Sequence, residues 1–352
     1  MEKKFIEEIR TIYGLLQDDI SKEIWGGRML YSLTGDMRYI RKVVCTTEAG
    51  GKAYDRMRFD SRKKVIFGSG IIGKRLVDIF GDIKFECFVD NKHAGEICKG
   101  LAVIGVEELK EKYSDALIII SSRVYHSEIL KQLLEEGFKE ESIINIGEEC
   151  DKLCNVLYFD LEELKSDIKD AEVFVDGGCY DGKDALAFFK WCENLDVKEP
   201  LVYAWEPDPK NIEGCKARLD AVNGSYEIIE KGLWSKVDRL YFEMAGVESS
   251  ISENGTLKVD VDSIDNMIKT PVTFIKMDIE GSEYQALLGA KETIKKCKPK
   301  LAISIYHKPE DIWEIPRVIH QINPGYKFYI RHYSLATQDT VLYAIDESMD
   351  NN

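Results

Sequence analysis

The chain has 352 residues, of which 44% are hydrophobic, and its formal net charge is -15. That length allows two domains with cores of their own, whereas the acidic balance argues against a nucleic-acid partner, because phosphate binding needs surplus Lys and Arg. The first ten residues lack the apolar core of a secretion signal, and no apolar run reaches the roughly 18 to 20 residues of a membrane span. We therefore expect a cytoplasmic protein.

Residues 1–60 are predicted to be a helical segment. Apolar residues recur at three- and four-residue spacing in FIEEIRTIYGLL and ISKEIWGGRMLYSL. The stretch TTEAGGKAYDRM, residues 46–57, is interpreted as a connecting loop. The nine cysteines are scattered, and the spacing of Cys150 and Cys154 is not that of a usual zinc site, which favours reduced structural thiols.

Residues 61–150 are predicted to be a small Rossmann-like domain, because KKVIFGSG, FECFVDN, ALIIISS and SIINIG alternate with helical patterns. Gly68, Gly70 and Gly73 form a GxGxxG turn after the first strand, and Asp90 ends the next strand, where an acid that binds a ribose would lie. These four residues are candidates for a second nucleotide site. The alternative is a tight turn whose glycines serve packing only.

Residues 151–352 are predicted to be a larger α/β domain. Its strands are EVFVDGG, LVYAWEPD, YEIIEKGLWS, TFIKMDIEG and KLAISIYH, with helical patterns between most of them, and KFYIRHY and TVLYAID form a closing hairpin. The predicted fold class is thus α/β, with two Rossmann-like three-layer units preceded by helices. The helices of residues 1–60 would pack on the first unit or form a homodimer contact.

The strand ends of the larger domain carry candidate binding residues. Asp176 ends the first strand, and the glycines Gly178 and Gly182 follow it at a spacing that suits the uncharged or zwitterionic end of a cofactor. Glu206 ends the second strand, where a carboxylate can accept hydrogen bonds from both hydroxyls of a ribose. The alternative for Glu206 is a surface residue that caps a helix.

Four motifs, VFVDGGCYDG, AWEPDP, EKGLWS and FIKMDIEGSEYQALLGA, resemble in order the FkbM-type family of S-adenosylmethionine-dependent methyltransferases over roughly residues 170–345. The resemblance implies a seven-stranded class I methyltransferase sheet, S-adenosylmethionine as cofactor and usually O-methylation. Residues 61–150 are similar to the small domain at the front of sugar O-acyltransferases. By position, the resemblance implies cofactor contacts from Asp176, Gly177, Gly178, Cys179, Tyr180, Gly182, Glu206, Pro207, Asp208, Gly232, Leu233 and Asp278.

The last motif also supplies candidate catalytic residues. Lys276, Asp278 and Glu280 would share one face of a strand, with Lys276 as the counter-charge of Asp278. An alcohol attacks a methyl donor well only if a base removes its proton, and Asp278, Glu280 and His307 are the candidates. The unperturbed pKa of a histidine suits this task best, whereas the alternatives are a structural Lys276–Asp278 ion pair and a histidine with a structural role. Two carboxylates could hold Mg²⁺, but no further ligand is identifiable, so we predict no metal site.

These observations favour an S-adenosylmethionine-dependent O-methyltransferase that acts on a hydroxyl of a sugar, a glycan precursor or a related small molecule. One alternative is a scaffold or regulatory protein that binds a nucleotide or nucleotide-sugar without catalysis. The other is an NAD-linked oxidoreductase that uses the turn at Gly68–Gly73, although the small domain shows no obvious hydride-transfer partner.

Overall fold

A computed structural model describes residues 2–222, 224–243, 250–251 and 257–346. The chain divides into two compact units. The larger unit contains Met1–Lys22, Tyr158–Arg331 and Thr340–Asn352, and the smaller unit contains Glu23–Leu157 and His332–Asp339. Within the described ranges, every helix is too short or too polar to span a lipid bilayer.

The chain begins with four helices: α1, Glu2–Leu15; α2, Asp19–Thr34; α3, Met37–Val44; and α4, Glu48–Phe59. The loop predicted for residues 46–57 was therefore wrong. Helix α4 begins there because the Thr47 hydroxyl caps it by accepting a hydrogen bond from the Gly50 N–H. Gly50 serves close packing instead of a turn, since a Cβ at this position would lie 2.2 Å from the carbonyl oxygen of Val44.

The smaller unit is built on an α/β alternation. Its strands and further helices are β1, Lys64–Phe67; α5, Ile71–Ile79; β2, Phe85–Val89; β3, Ile97–Cys98; β4, Leu101–Ile104; α6, Val106–Lys112; β5, Leu117–Ile120; α7, His126–Glu135; β6, Ile143–Asn145; and α8, Ile146–Val156. A 3₁₀ turn covers Glu140–Ser142.

The six strands of the smaller unit form one sheet in the order β3-β4-β2-β1-β5-β6. All pairs are parallel except β3 with β4. Successive residues alternate between two hydrophobic clusters: Val65 and Ile118 contribute to one, and Ile66 and Ile119 to the other. The central strands are therefore apolar on both faces, as expected for a covered parallel sheet.

The larger unit contains the remaining elements, together with a 3₁₀ turn at Glu162–Lys165. They are β7, Val173–Gly177; α9, Lys183–Asn194; β8, Leu201–Trp205; α10, Pro209–Leu219; β9, Ser225–Ile229; β10, Gly232–Leu233; β11, Asp238–Glu243; β12, Ser250–Ile251; β13, Leu257–Asp262; α11, Ile264–Met267; β14, Phe274–Met277; α12, Glu283–Leu288; α13, Lys291–Cys297; β15, Lys300–Ser304; α14, Asp311–Ile322; β16, Tyr326–His332; and β17, Thr340–Asp346.

The main sheet of the larger unit has seven strands in the order β16-β17-β15-β14-β7-β8-β9. Strand β14 pairs in parallel with β7 and β15, β8 pairs in parallel with β7 and β9, and β17 runs antiparallel to β15. A second sheet has the order β10-β13-β11-β12. The predicted α/β fold class, with its seven-stranded sheet, is confirmed.

The parallel register positions the site. Asp176 pairs with Lys276 across β7 and β14, and Gly177 lies between Met277 and Trp205 on its two neighbouring strands. Because parallel strands end at the same edge of a sheet, the turns that follow β7, β8, β14 and β15 meet there.

Two segments lie in a different unit from the one that domain boundaries after residues 60 and 150 would suggest. Helix α1 belongs to the larger unit, where the rings of Phe5 and Trp313 have centroids 6.2 Å apart. Residues His332–Asp339 belong to the smaller unit, where Leu335 and Ala336 join its hydrophobic core. Both groupings depend on contacts between residues that are far apart in the chain, which sequence patterns do not show.

Candidate active site

The turn after β7 brings the backbone of three strands close together. The N–H groups of Gly178 and Cys179 donate hydrogen bonds of 3.1 and 3.0 Å to the carbonyl oxygen of Trp205. Gly178 has a φ of +74°, and a Cβ there would lie 2.1 Å from the carbonyl oxygen of Asp278. Glycine is therefore required by conformation and by space. Gly182, with a φ of +78°, precedes α9 and ends the turn.

A buried lysine fixes this turn. Nζ of Lys276 lies 3.0 Å from Asp176 Oδ1 and 2.9 Å from Asp184 Oδ2, and it donates a hydrogen bond of 2.9 Å to the carbonyl oxygen of Gly178. Burial opposes the charge, but Asp176 and Asp184 raise the pKa of Lys276, so the amine stays protonated. Burial raises the pKa of Asp176 to about 6, although Lys276 opposes the shift. The ion pairs of Lys276 are thus with Asp176 and Asp184, and not with Asp278, for which it was the predicted counter-charge.

Glu206 follows β8 and connects two loops. Its Oε2 accepts a hydrogen bond of 3.0 Å from the Tyr180 N–H, and its Oε1 accepts hydrogen bonds from the Asp208 N–H and the Asn211 side chain. Burial raises the pKa of Glu206 despite these three donors. Oε2 keeps the capacity to accept another hydrogen bond, because a carboxylate oxygen has two lone pairs.

The other residues of the predicted cofactor set lie around the same strand ends. Leu233 is buried, and a Cβ added to Gly177 would lie 2.6 Å from its Cδ1, so Leu233 packs directly on that strand end. Its neighbour Gly232 lies on β10 with it. Cys179 points into the core, since its Sγ is buried 3.4 Å from that of Cys215.

Two residues of that set, Pro207 and Asp208, lie between β8 and α10. The Asp208 side chain caps α10 by accepting a hydrogen bond from the Lys210 N–H. The Asp208 carboxylate thus binds the first turn of α10, and the Asp208 N–H donates a hydrogen bond to Glu206.

Asp278 follows β14 and is held by two phenols. Tyr158 Oη donates a hydrogen bond of 2.9 Å to Oδ2, and Tyr306 Oη donates one of 3.0 Å to Oδ1. Burial alone would raise the pKa of Asp278, but Lys276, His307 and the two phenols hold it below its usual value. Asp278 is therefore ionised at neutral pH.

His307 follows β15 and lies among three carboxylates. Its Nε2 is 3.3 Å from Asp278 Oδ1 and 3.5 Å from Glu280 Oε2, and its Nδ1 is 3.0 Å from Glu283 Oε1. Burial opposes protonation, but Glu283, Asp278 and Glu280 raise the pKa of His307 to about 9. The ring is therefore protonated at neutral pH in this arrangement. Glu280 precedes α12, has a φ of +53° and exposes 44% of its side chain.

Four residues of this region were not identified from the sequence: Tyr158, Asp184, Glu283 and Tyr306. Glu283 lies in the same DIEGSE run as Asp278, so a search for further carboxylates in that motif would have found it. Asp184 lies two residues after Gly182 in the first turn of α9. The contact of Tyr158 with Asp278 joins residues 120 positions apart, and no local pattern indicates it.

The residues predicted as a second nucleotide site belong to the smaller unit. Gly68, Gly70 and Asp90 line a cavity of about 1110 Å³. Gly73 serves close packing, since a Cβ there would lie 2.2 Å from the carbonyl oxygen of Gly68. Both oxygens of Asp90 already accept hydrogen bonds from the unit itself, including the N–H and the hydroxyl of Ser69. A nucleotide site here stays a prediction.

Comparisons with known proteins find two family matches and similar folds. Residues 176–329 match the family described as Methyltransferase FkbM domain, and residues 60–144 match the one described as C2185-like, N-terminal. The chain is similar in fold to the methyltransferase FkbM of Methylobacillus flagellatus KT, with 20% identity, a TM-score of 0.51, and 93% of this chain and 99% of that chain covered.

A weaker similarity is to the SAH-bound methyltransferase PaMTH1 of Podospora anserina, with 11% identity, a TM-score of 0.29, and 63% of this chain and 95% of that chain covered. No curated protein matches the chain.

Proposed function

Since residues 176–329 are an FkbM methyltransferase domain, we propose that the larger unit transfers a methyl group from S-adenosylmethionine to a hydroxyl oxygen of a sugar, a glycan precursor or a related small molecule. The prediction of a methyltransferase, made from four sequence motifs, is confirmed by the family match. The hydroxyl acceptor is our proposal, and the cluster of Asp278, Glu280 and His307 is the observation that carries it.

The strand ends of the larger unit fit the cofactor. S-adenosylmethionine supplies an electrophilic methyl group when bound. The turn from Gly178 to Gly182 has two positive-φ glycines, so its backbone can wrap the methionine end of the molecule. Oδ2 of Asp176 is buried without a hydrogen-bond partner among the described residues and would accept from a bound ammonium. Oε2 of Glu206 would accept a hydrogen bond from a ribose hydroxyl.

The catalytic cluster supports hydroxyl chemistry. An alcohol needs to lose its proton as it attacks, and a group accepts that proton only in its basic form. His307 is protonated at neutral pH, whereas Asp278 is ionised, so a carboxylate of the cluster is the proton acceptor in this arrangement. His307 then donates a hydrogen bond that orients the acceptor oxygen, and the phenols of Tyr158 and Tyr306 hold Asp278 in place.

The proposal is tested with methyl-labelled S-adenosylmethionine and a panel of sugars, nucleotide-sugars and glycan fragments. We expect label in a methyl ether, identified by mass spectrometry and NMR, and loss of transfer in Asp278→Asn. Glu310→Gln is the matched control, because Glu310 is an exposed carboxylate on the loop that carries His307. A labelled product with its methyl group on nitrogen or carbon would contradict the hydroxyl assignment.

A further inference from the structure

The donor atoms around His307 have the spacing of metal ligands. Nε2 of His307 lies 3.3 Å from Asp278 Oδ1 and 3.5 Å from Glu280 Oε2. Ligand atoms about 2.1 Å from one cation lie roughly 3.0 to 3.4 Å from each other in octahedral and tetrahedral sites. Asp278, Glu283 and His307 also each have a donor atom within 4.8 Å of the others. The two Nε2 distances are therefore close to those between ligands of one ion, and Glu280, whose side chain is 44% exposed, would complete the set.

The imidazole of His307 lacks a well-placed hydrogen-bond partner among the described residues. The His307 side chain is only 9% exposed, and neither ring nitrogen makes a hydrogen bond of good geometry with the described residues. Nδ1 has the Glu283 carboxylate 3.0 Å away, whereas Nε2 has the longer contacts with Asp278 and Glu280. Buried polar atoms are normally satisfied, so this nitrogen, which faces two carboxylates, lacks the group that would complete it.

Glu283 holds the imidazole in this orientation. The Glu283 side chain is fully buried, and its Oε1 accepts a hydrogen bond of 2.9 Å from the Ile279 N–H and lies 3.0 Å from His307 Nδ1. Histidines that bind metals usually donate their other ring N–H to such a carboxylate. The contact with Glu283 thus directs Nε2 toward Asp278 and Glu280.

We propose that Asp278, Glu280 and the Nε2 of His307, which gives up its proton when the ion binds, hold one divalent cation of the Mn²⁺ type, with Glu283 as a positioning residue. Carboxylates are ligands that suit Mn²⁺, and the imidazole favours a transition-metal ion over Mg²⁺ and Ca²⁺, which take oxygen ligands. No metal was predicted, because no ligand beyond two carboxylates was identified from the sequence and His307 was considered only as a base or a structural residue; in the fold its Nε2 lies within 3.5 Å of both carboxylates.

The inference rests on the proposed function, because the cation would bind the acceptor hydroxyl. A hydroxyl oxygen bound to a divalent cation loses its proton more easily. The O–H bond breaks, the proton leaves to water, and the electron pair stays on the oxygen, which forms the new bond to the methyl carbon. The bond from that carbon to the sulfonium sulfur of S-adenosylmethionine breaks at the same time, and its electron pair leaves on the sulfur of S-adenosylhomocysteine. The cation would then do what a carboxylate would otherwise do alone.

The test is Mn²⁺ binding to the full chain, followed by the electron paramagnetic resonance signal of free Mn²⁺. We expect affinity at least about 10-fold weaker in His307→Gln and Glu280→Gln, and roughly 10-fold weaker in Glu283→Gln. Glu310→Gln is the control and should bind Mn²⁺ as the wild type does. Glu280 is partly exposed, so Glu280→Gln tests the site even where a buried variant fails to fold.

A second readout separates coordination from general structural damage. Electron spin echo envelope modulation should show the nitrogen of a bound imidazole in the wild type and in Glu280→Gln at saturating Mn²⁺, and no such nitrogen in His307→Gln. Wild-type protein that binds Mn²⁺ no more tightly than Glu280→Gln, or without nitrogen coupling, would overturn the cation site. Calorimetry with S-adenosylhomocysteine tests the proposed function separately: retained binding without Mn²⁺ binding removes the cation alone, whereas absent binding contradicts the methyltransferase proposal.

Discussion

Replacing Glu206 with glutamine tests the cofactor site most directly. In the structure, the carboxylate accepts hydrogen bonds from the Tyr180 N–H, the Asp208 N–H and the Asn211 side chain. A glutamine has one acceptor oxygen and one donor amide group. Its better orientation keeps the oxygen near Asp208 and Asn211 and places the amide nitrogen against the Tyr180 N–H, where two donors face each other.

The size of the effect follows from these contacts. A hydrogen bond to a charged acceptor contributes about 1.5 to 3 kcal/mol, and the variant loses the one expected from the ribose. The altered contact with Tyr180 also loosens the turn that follows β7, at a cost of similar size. Together these losses come to about 3 to 6 kcal/mol, or a rise in Kd of at least roughly 100-fold.

Titration calorimetry with S-adenosylhomocysteine measures this Kd in the wild type, in Glu206→Gln and in the control Glu213→Gln. Glu213 is an exposed carboxylate on α10, the helix that follows the Glu206 loop, so its replacement controls for the loss of a negative charge. Circular dichroism checks that both variants are folded. An unchanged Kd in folded Glu206→Gln would refute the ribose contact and the bracing of Tyr180 together.

Three further substitutions test other parts of the larger unit. Gly178→Ala should abolish S-adenosylhomocysteine binding in calorimetry, because its Cβ would lie 2.1 Å from the Asp278 carbonyl oxygen, while Gly214→Ala, where a Cβ meets open space, should bind normally. Lys276→Met leaves Asp176 without its cation and should lower the free energy of unfolding in urea by about 3 to 5 kcal/mol; a loss below about 1 kcal/mol would contradict a structural ion pair. Burial and Glu283 raise the pKa of Asp311 to about 7. The protonated carboxyl therefore stabilises the folded state; this contribution is complete below the unfolded pKa near 4 and is lost as the pH rises toward 7. Asp311→Asn removes that loss, and at pH 8 its free energy of unfolding should exceed that of the wild type by on the order of 4 kcal/mol, with little difference at pH 4. Parallel curves of unfolding free energy against pH for the two proteins would show that Asp311 is not the group responsible.

Residues at strand ends could be predicted from the sequence because parallel strands bring their carboxyl ends together. Asp176, Glu206 and Asp278 each follow or end a recognisable apolar strand, so their common edge follows from the alternation of strands and helices. The requirement for glycine at Gly178 also follows from a tight turn between a strand and a helix.

Contacts that depend on tertiary packing could not be predicted. Lys276 shares a strand face with Asp278 in the sequence pattern, but its ammonium contacts Asp176 on the neighbouring strand and Asp184 on the following helix. The protonation of His307 depends on Glu283, whose position is set by the start of α12. Helix α4 was mistaken for a loop because its glycine pair resembles a turn until the close approach to the preceding helix is known.

The segment His332–Asp339 has a consequence for the biosynthesis of this chain. It follows residues 158–331 of the larger unit in the chain, yet Leu335 and Ala336 lie in the core cluster that Ile66 and Ile119 of the preceding smaller unit build. While the ribosome is still making residues 158–331, that cluster lacks two of its apolar side chains. Co-translational folding of the smaller unit can therefore be completed only after residues 332–339 emerge, and a fragment that stops at residue 157 would leave part of its hydrophobic core uncovered.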